Sequence, residues 1–230
     1  MNPSISIETQ LLATKFFIPT SAHNLISRPR LTSLLQQSLK YPLTLISAPA
    51  GFGKTCLLSA WSQSLPPSDP LVAWVSLDEG DNEPRLFRTY VLEALNTQQP
   101  ERFTPLVKYL QSPQVPSLEY VLTRLTDLLA ESAQQFLLIL DDYHVITEQQ
   151  VHMTLSYLIE HLPTQLHIVL ATRVDPALPL SRLRTRGLVL EVRTKELRCT
   201  VEETGIFFKE AMGIQFPKYR RTQVSSMLIL

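Results

Sequence analysis

Two of the six glycines in this 230-residue chain stand directly before a lysine and a threonine, in the stretch Gly51-Phe52-Gly53-Lys54-Thr55. A loop that wraps a polyphosphate must turn several backbone N–H groups inward, and glycine permits the positive φ values that this needs. A helix that begins at such a loop presents further free N–H groups to the anion. Lysine and threonine at this spacing reach the β- and γ-phosphates and ligate magnesium. The spacing therefore predicts a site for a nucleoside triphosphate and Mg²⁺.

The predicted phosphate loop covers residues 48–56, in which Lys54 contacts phosphate and Thr55 ligates Mg²⁺. The candidate nucleotide contacts in it are Ala48, Pro49, Ala50, Gly51, Phe52, Gly53, Lys54, Thr55 and Cys56. Ala48 stands where the usual pattern GxxxxGK(S/T) has its first glycine, so the match is incomplete. The alternative interpretation is a glycine-containing turn between a strand and a helix, followed by an ordinary lysine.

A second motif consists of five apolar residues, 136–140, followed by Asp141 and Asp142. Carboxylates at the carboxyl end of a parallel strand lie where open α/β sheets bind ligands. We predict that Asp141 holds Mg²⁺, directly or through water, and that Asp142 orients or deprotonates an attacking water. The alternative is a strand followed by an aspartate-rich turn, but two such motifs in one chain favour the nucleotide site.

Arginines occur at two further notable places in the sequence. Arg173 comes just after residues 166–171, where its guanidinium would contact the γ-phosphate, act in catalysis with Lys54, and distinguish ATP from ADP. Without the other motifs, Arg173 would be interpreted as a surface arginine. The alternating arginines downstream are typical of a solvated face rather than a nucleic-acid surface, and they are Arg182, Arg184 and Arg186.

The elements that must position these residues alternate along the chain. Short apolar segments at 43–47, 71–77, 136–140 and 166–171 predict strands, and 188–192 a final one. Amphipathic helices are predicted between them, whereas the four prolines of residues 97–117 predict a loop with at most a short helix near Leu106. The Thr200 and Glu203 pair predicts a capping box, and Gly213 the end of its helix. This alternation predicts a three-layer α/β fold with a mainly parallel sheet.

Composition excludes several classes of function. The chain has 21 basic and 21 acidic residues, so no overall charge favours nucleic acid or an acidic membrane surface. Two distant cysteines and five histidines show no metal-ligand spacing, which predicts no metal site apart from the nucleotide's Mg²⁺. The longest apolar run is too short to span a bilayer, and no export signal stands at the start. We therefore expect a cytoplasmic protein.

The motifs together resemble the ATPase domain of the MalT-like, LuxR-type ATP-dependent transcriptional regulators, which belong to the STAND group of signalling P-loop NTPases. The resemblance runs from about residue 12 to 216. It is carried by LLATKFFIP, LISRPRL, SAPAGFGKT, WVSLDEGDNEP, LLILDDYHVI, ATR with PLPLSRLR, and ELRCTVEE. In that family alanine is usual at the position of Ala48.

The resemblance implies ATP or ADP with Mg²⁺ as ligands, slow hydrolysis, and a switch between a resting ADP-bound state and an assembling ATP-bound state. It also implies that Arg28 lies near the base and ribose. On this basis we expect an arm (1–30) that packs on the core, a P-loop NTPase domain (31–195), and the start of a helical module (196–230). The family's further modules are not found in the sequence, which suggests a truncated chain that does not itself bind DNA, with weak or no turnover.

Two other functions remain open on the sequence. One is a P-loop phosphotransferase, which would need an acceptor pocket and an arginine-rich lid. The other is a non-catalytic partner that associates with full-length relatives or with a second copy of itself. The sequence alone does not exclude either.

Overall fold

A five-stranded parallel sheet forms the centre of the computed structural model, which describes residues 11–20, 28–112 and 117–212, with side chains up to 206. The strands lie in the order β2-β3-β4-β1-β5. Their bounds are β1 Leu43–Ser47, β2 Leu71–Ser76, β3 Phe136–Asp141, β4 Leu166–Thr172 and β5 Val189–Arg193. All four strand pairings are parallel, so every carboxyl end lies at one edge. The predicted fold class is confirmed.

Helices cover both faces of this sheet. Their bounds are α1 Pro29–Leu35, α2 Lys54–Ser64, α3 Pro84–Gln98, α4 Pro100–Gln111, α5 Leu118–Ala130, α6 Gln149–Glu160, α7 Leu180–Thr185, α8 Thr194–Leu197 and α9 Val201–Met212. Short 3-10 helices occupy Ala13–Phe16, Gln36–Lys40, Glu79–Asn82 and Tyr143–Val145. Among the residues described, no helix is both long and apolar enough to cross a membrane.

Each central strand contributes side chains to two separate cores. Within β3, Leu138 and Leu140 pack on one side with residues of α3, α5 and α6, whereas Leu137 and Ile139 pack on the other with residues of α1 and α2. Because successive side chains of a strand point to opposite faces, a strand covered on both faces must be apolar throughout. This is why the apolar runs in the sequence identified the strands.

The predicted loop at 97–117 is wrong over most of its length, because α4 covers twelve of these residues, Pro100–Gln111. Pro100 occupies the first helical position, where a missing N–H costs nothing. Pro105 removes one hydrogen bond inside the helix. Four buried side chains compensate for it, and they are Phe103, Leu106, Val107 and Leu110. Tertiary burial thus outweighed the local preference of proline.

Smaller differences occur at other elements. The helix predicted from residue 31 begins at Pro29 and tightens into a 3-10 helix after Leu35, and β5 is shifted by one residue. Helix α7 was not predicted. The capping box is confirmed, because the Glu203 N–H donates to Thr200 Oγ1 at 3.2 Å and the Thr200 N–H donates to Glu203 Oε2 at 2.9 Å. Gly213, the expected end of α9, lies outside the described residues.

Part of the predicted N-terminal arm contacts the core through a buried cation. Lys15 Nζ lies 2.7 Å from both carboxylate oxygens of Asp81 and 2.8 Å from Asp78 Oδ2. The Phe16 ring packs beside Tyr90, with 5.8 Å between centroids. Residues 1–10 and 21–27 of the predicted arm lie outside the described part, so the division into three domains stays a prediction.

Candidate functional site

The predicted phosphate loop leaves the carboxyl end of β1 and turns directly into α2. Gly51 and Gly53 have φ values of 83° and 68°, the left-handed region that favours glycine. Helix α2 begins at Lys54 without a side-chain cap, which leaves N–H groups of its first turn free for an anion. Ala48 is buried, and its N–H donates to Thr172 O at 3.3 Å. Both glycines are thus required by the turn, and Ala48 fits where the motif has glycine.

The Lys54 side chain lies inside the loop rather than in solvent. Its Nζ donates to Ala48 O at 2.7 Å and to Pro49 O at 3.0 Å. Burial lowers the pKa of Lys54, Asp142 and Asp141 oppose that shift, and Arg173 adds to it. The Lys54 ammonium is therefore within electrostatic range of Asp141, Asp142 and Arg173, as a common anion site requires.

Thr55 and Asp141 are joined directly, although 86 residues separate them in the chain: Thr55 Oγ1 donates to Asp141 Oδ2 at 2.8 Å. The other carboxylate oxygen of Asp141 accepts from the Asp142 N–H at 3.0 Å. Burial raises the pKa of Asp141, and the negative charge of Asp142 raises it further. The hydrogen bond from Thr55 acts in the opposite direction and lowers the pKa. A hydroxyl and a carboxylate brought together at a strand end provide oxygen ligands suited to Mg²⁺.

Asp142 begins the turn that follows β3. Its φ of 56° is the only positive value of a non-glycine residue in the described chain, and its side chain is about half exposed (47%). The next residue, Tyr143, is buried and bonds through its hydroxyl to His152 Nδ1 at 2.9 Å. Asn82 ties the end of the same turn to the loop after β2 by donating to Val145 O at 2.9 Å. This turn is therefore anchored at two points.

His144 lies in that turn and is one of the five histidines that show no metal-ligand spacing in the sequence. Its Nδ1 is 3.6 Å from Asp142 Oδ1. Burial lowers the pKa of His144, as do Arg173 and Lys54, whereas Asp142 opposes the shift. His144 thus shares the surroundings of all three predicted catalytic residues. Its position two residues after Asp142 was the available sequence signal.

Arg173 follows the last residue of β4 at the same edge and is exposed. Its charge helps to lower the pKa values of Lys54 and His144, so it lies within electrostatic range of both residues. Two residues later, Asp175 accepts from Ser47 Oγ at 3.1 Å and pairs with Arg193 at the end of β5. Sequence reasoning missed this Asp175–Arg193 pair, although Arg193 ends β5 and Asp175 follows the end of β4 by three residues.

Arg28 lies at the start of α1 and is engaged elsewhere. Its guanidinium donates to Leu197 O at 2.7 Å and to Glu203 Oε2 at 3.2 Å, which ties α1 to α8 and α9. Among the residues described, no hydrogen bond joins Arg28 to the phosphate loop, so its contact with a base or ribose stays a prediction. Cys56, in the first turn of α2, is exposed and has a free thiol.

The basic cluster on and after α7 is paired with acidic side chains. Arg182 lies 3.1 Å from Glu160, Arg184 2.8 Å from Glu191, and Arg186 3.9 Å from Glu160. These arginines form a solvated, charge-balanced surface, in agreement with the interpretation of the sequence.

Solved structures share this architecture. Cdc6p from Pyrobaculum aerophilum superposes with a TM-score of 0.56 over 94% of this chain and 59% of its own, at 15% identity. The Drosophila ORC structure bound to DNA gives 0.51 over all of this chain and 60% of its own, at 14% identity. At such identity the likeness shows the fold alone, which is that of the P-loop ATPases. No family model matches the chain.

Curated sequences give a closer relationship. The HTH-type transcriptional regulator MalT of Vibrio parahaemolyticus is 34% identical over 202 residues, which are 88% of this chain and 22% of the relative. MalT of Serratia proteamaculans is 34% identical over 198 residues, 86% of this chain and 22% of the relative. The chain is homologous to one segment of MalT. This confirms the resemblance to the MalT-like regulators, while the chain spans only about a fifth of the MalT sequences it matches.

Proposed function

We propose that this MalT-like segment is an Mg-dependent ATP-binding switch module of a transcriptional regulator, with weak or no hydrolysis on its own. The observation that carries the proposal is the 2.8 Å hydrogen bond between Thr55 and Asp141. It brings the first turn of α2 and the carboxyl end of β3 together at one point. This contact supports the proposal that two sequence motifs, each weak by itself, act together as one site.

The triphosphate would bind at the loop and the start of α2. Free N–H groups of the loop and the helix N-terminus donate to phosphate oxygens. The Lys54 ammonium, which now donates to two loop carbonyls, would exchange these neutral acceptors for charged phosphate oxygens, which form stronger hydrogen bonds. Arg173 would add a second cation that contacts the γ-phosphate of ATP. ADP has no γ-phosphate, so Arg173 would lack this partner when ADP is bound.

Magnesium fits the residues at the end of β3. Thr55 Oγ1 and the Asp141 carboxylate would hold it, with phosphate oxygens and water as the remaining ligands. When bound, the ion supplies positive charge that neutralises the phosphates during reaction. The raised pKa of Asp141 is consistent with this role, because burial and the neighbouring Asp142 charge disfavour the ionised carboxylate, and a bound cation would favour it.

In hydrolysis a water oxygen would attack the γ-phosphorus, while the bond from that phosphorus to the β–γ bridging oxygen breaks and ADP leaves with the electron pair. Asp142 would accept a proton from the water. The Asp142 side chain is half exposed in this structure, so bulk water reaches the position from which it would act. Because a catalytic site works best when it excludes bulk water, we expect weak turnover.

We propose that the bound nucleotide controls the state of the protein. ADP would favour a resting state, and ATP would favour a state that assembles with partners. The partners of the ATP-bound state would be a second copy or a longer relative of the same family. We propose no direct contact with DNA and a cytoplasmic location, where ATP is available.

Thermal unfolding tests the nucleotide site. Mg-ATP at about 100 times its Kd should stabilise the fold by about 2.7 kcal/mol, which at ~2–4 °C per kcal/mol raises Tm clearly. Lys54→Ala should remove the shift, whereas Lys108→Ala, an exposed lysine on α4, should keep it. A wild-type Tm that ignores Mg-ATP would refute the proposed function.

A further inference from the structure

The imidazole of His144 faces Asp142 across a short gap. Its Nδ1 is buried, has no hydrogen-bond partner among the residues that the structure describes, and lies 3.6 Å from Asp142 Oδ1. A buried polar atom without a partner costs free energy, so native proteins retain one mainly where function uses it. Within the described part of the chain, the one carboxylate in salt-bridge range of this atom is that of Asp142, which is proposed to receive the proton of the attacking water.

The backbone keeps this pair in place. Asp142 has left-handed φ, which for a non-glycine residue persists only where surrounding contacts enforce it. Those contacts are the Tyr143–His152 hydrogen bond and the Asn82 bonds to Val145 O and to the Thr147 N–H, at 2.9, 2.9 and 2.7 Å. His144 is therefore fixed beside Asp142 by its neighbours in the chain.

The surroundings of His144 favour a neutral ring. Burial opposes a positive imidazole most strongly, and Arg173 and Lys54 add to this effect, whereas Asp142 attracts a positive ring. In a neutral ring the proton resides on the nitrogen that has an acceptor. Asp142 is that acceptor, so a small closure of the 3.6 Å gap makes an Nδ1–H hydrogen bond to its carboxylate.

We propose that His144 is a positioning residue, whose Nδ1–H holds the Asp142 carboxylate with one oxygen turned toward the attacking water. This role rests on the proposed function, because it concerns the same nucleotide site. His144 would act on Asp142 as a third group acts on the general base in enzymes where the base is oriented by a neighbouring hydrogen bond. The Asp142 carboxylate is half exposed and accepts no side-chain hydrogen bond within the described residues, so its orientation depends on such a neighbour.

Three substitutions separate this role from simple packing. His144→Ala removes the donor, His144→Asn keeps a donor at the place of Nδ1, and His144→Gln moves the donor to the place of Nε2. His161→Ala is the matched control, because His161 is an exposed imidazole at the end of α6 stacked on Tyr157. A packing role predicts equal effects of the Asn and Gln variants, whereas positioning predicts that Asn retains function.

The readout is the Kd of Mg-ADP with and without aluminium fluoride, measured by calorimetry. The fluoride complex imitates the phosphoryl group in transfer with water aligned, so its gain in affinity reports the geometry around that water without any turnover. We expect the gain to fall about 10- to 100-fold in His144→Ala and His144→Gln, as for other orienting residues. It should be largely kept in His144→Asn and fully kept in His161→Ala.

The outcomes distinguish the two proposals. If wild-type protein does not bind Mg-ADP, the proposed function fails and this role fails with it. If Mg-ADP binds but aluminium fluoride adds no affinity, or adds it equally in wild type and His144→Ala, the role of His144 alone is overturned. Unequal Asn and Gln variants in the expected order, with unchanged affinity for Mg-ADP, support it.

Discussion

The Thr55 hydroxyl donates a 2.8 Å hydrogen bond to the Asp141 carboxylate, which links the first turn of α2 to the carboxyl end of β3. This hydrogen bond orients the two proposed Mg²⁺ ligands toward each other, although they belong to different elements of the fold. Two oxygen ligands held in this way by the fold lose little conformational freedom when they bind an ion. We therefore expect substitutions of Thr55 and of Asp141 to affect both ion binding and stability.

Thr55→Val should weaken Mg-ATP binding by about 10- to 100-fold, because the hydroxyl that ligates the ion is lost. It should also lower stability by about 1–3 kcal/mol, since Asp141 Oδ2 loses its donor in a buried place. Thr55→Ser keeps the hydroxyl and should stay close to wild type in both respects. Thr123→Val, at an exposed position of α5, is the control. Calorimetric titration would contradict the assignment if Thr55→Val bound Mg-ATP like wild type.

Asp141→Asn should raise the Tm of the nucleotide-free protein while removing its response to Mg²⁺. Burial raises the pKa of Asp141, so the folded chain holds this proton more tightly than the unfolded chain does. The ionised carboxylate therefore costs stability above its folded pKa. Asparagine still accepts from the Asp142 N–H and can donate to Thr55, and a relief of about 1 kcal/mol appears as ~2–4 °C.

The pH dependence checks the sign of this effect. The stability advantage of Asp141→Asn should be small in acid, grow as pH rises through the raised pKa of Asp141, and then stay constant. For wild type, Mg-ATP affinity should fall on acidification, because the proton competes with the ion for the carboxylate. An Asp141→Asn variant less stable than wild type at neutral pH would disprove the argument.

Lys15→Ala should destabilise the domain strongly, since it leaves Asp81, with a side chain only 1% exposed, as an unpaired buried charge. Breaking a buried pair costs about 3–5 kcal/mol, which at ~2–4 °C per kcal/mol lowers Tm by roughly 10 °C. The double variant Lys15→Met with Asp81→Asn should recover part of this loss. Lys40→Ala, an exposed lysine, should leave Tm unchanged.

Acidification should reduce the difference between Lys15→Ala and wild type. The hydrogen bond from Lys15 holds the pKa of Asp78 below its usual range, so Asp78 adds stability above its unfolded pKa. That stability is lost as pH falls through the lowered pKa. Because the Asp78 side chain is 56% exposed, its share is modest beside that of Asp81. If the stability difference between wild type and Lys15→Ala stayed constant as pH fell, the hydrogen bond between Lys15 and Asp78 would not contribute to stability.

The strands and the phosphate loop were predictable because their signals are local. The largely apolar segment 43–47 indicates a strand covered on both faces, and Gly51 and Gly53 mark the turn that requires positive φ. Helix α4 was not predictable in this way. Its prolines favour a loop locally, and only the burial of side chains such as Phe103 against the rest of the core makes the helix stable.

The sequence by itself determined which chemistry was available, since Lys54, Thr55, Asp141 and Asp142 carry the needed groups at strand ends. The tertiary structure decided which of these groups meet. Strand order placed β1 and β3 on either side of β4, and this brought Thr55 to Asp141, Arg173 to the loop and Ser47 to Asp175. In the folded chain, Arg28 also bonds to α8 and α9, and His144 lies next to Asp142. Spacing along the chain specifies neighbours only within one element, whereas contacts between elements depend on how the sheet is assembled.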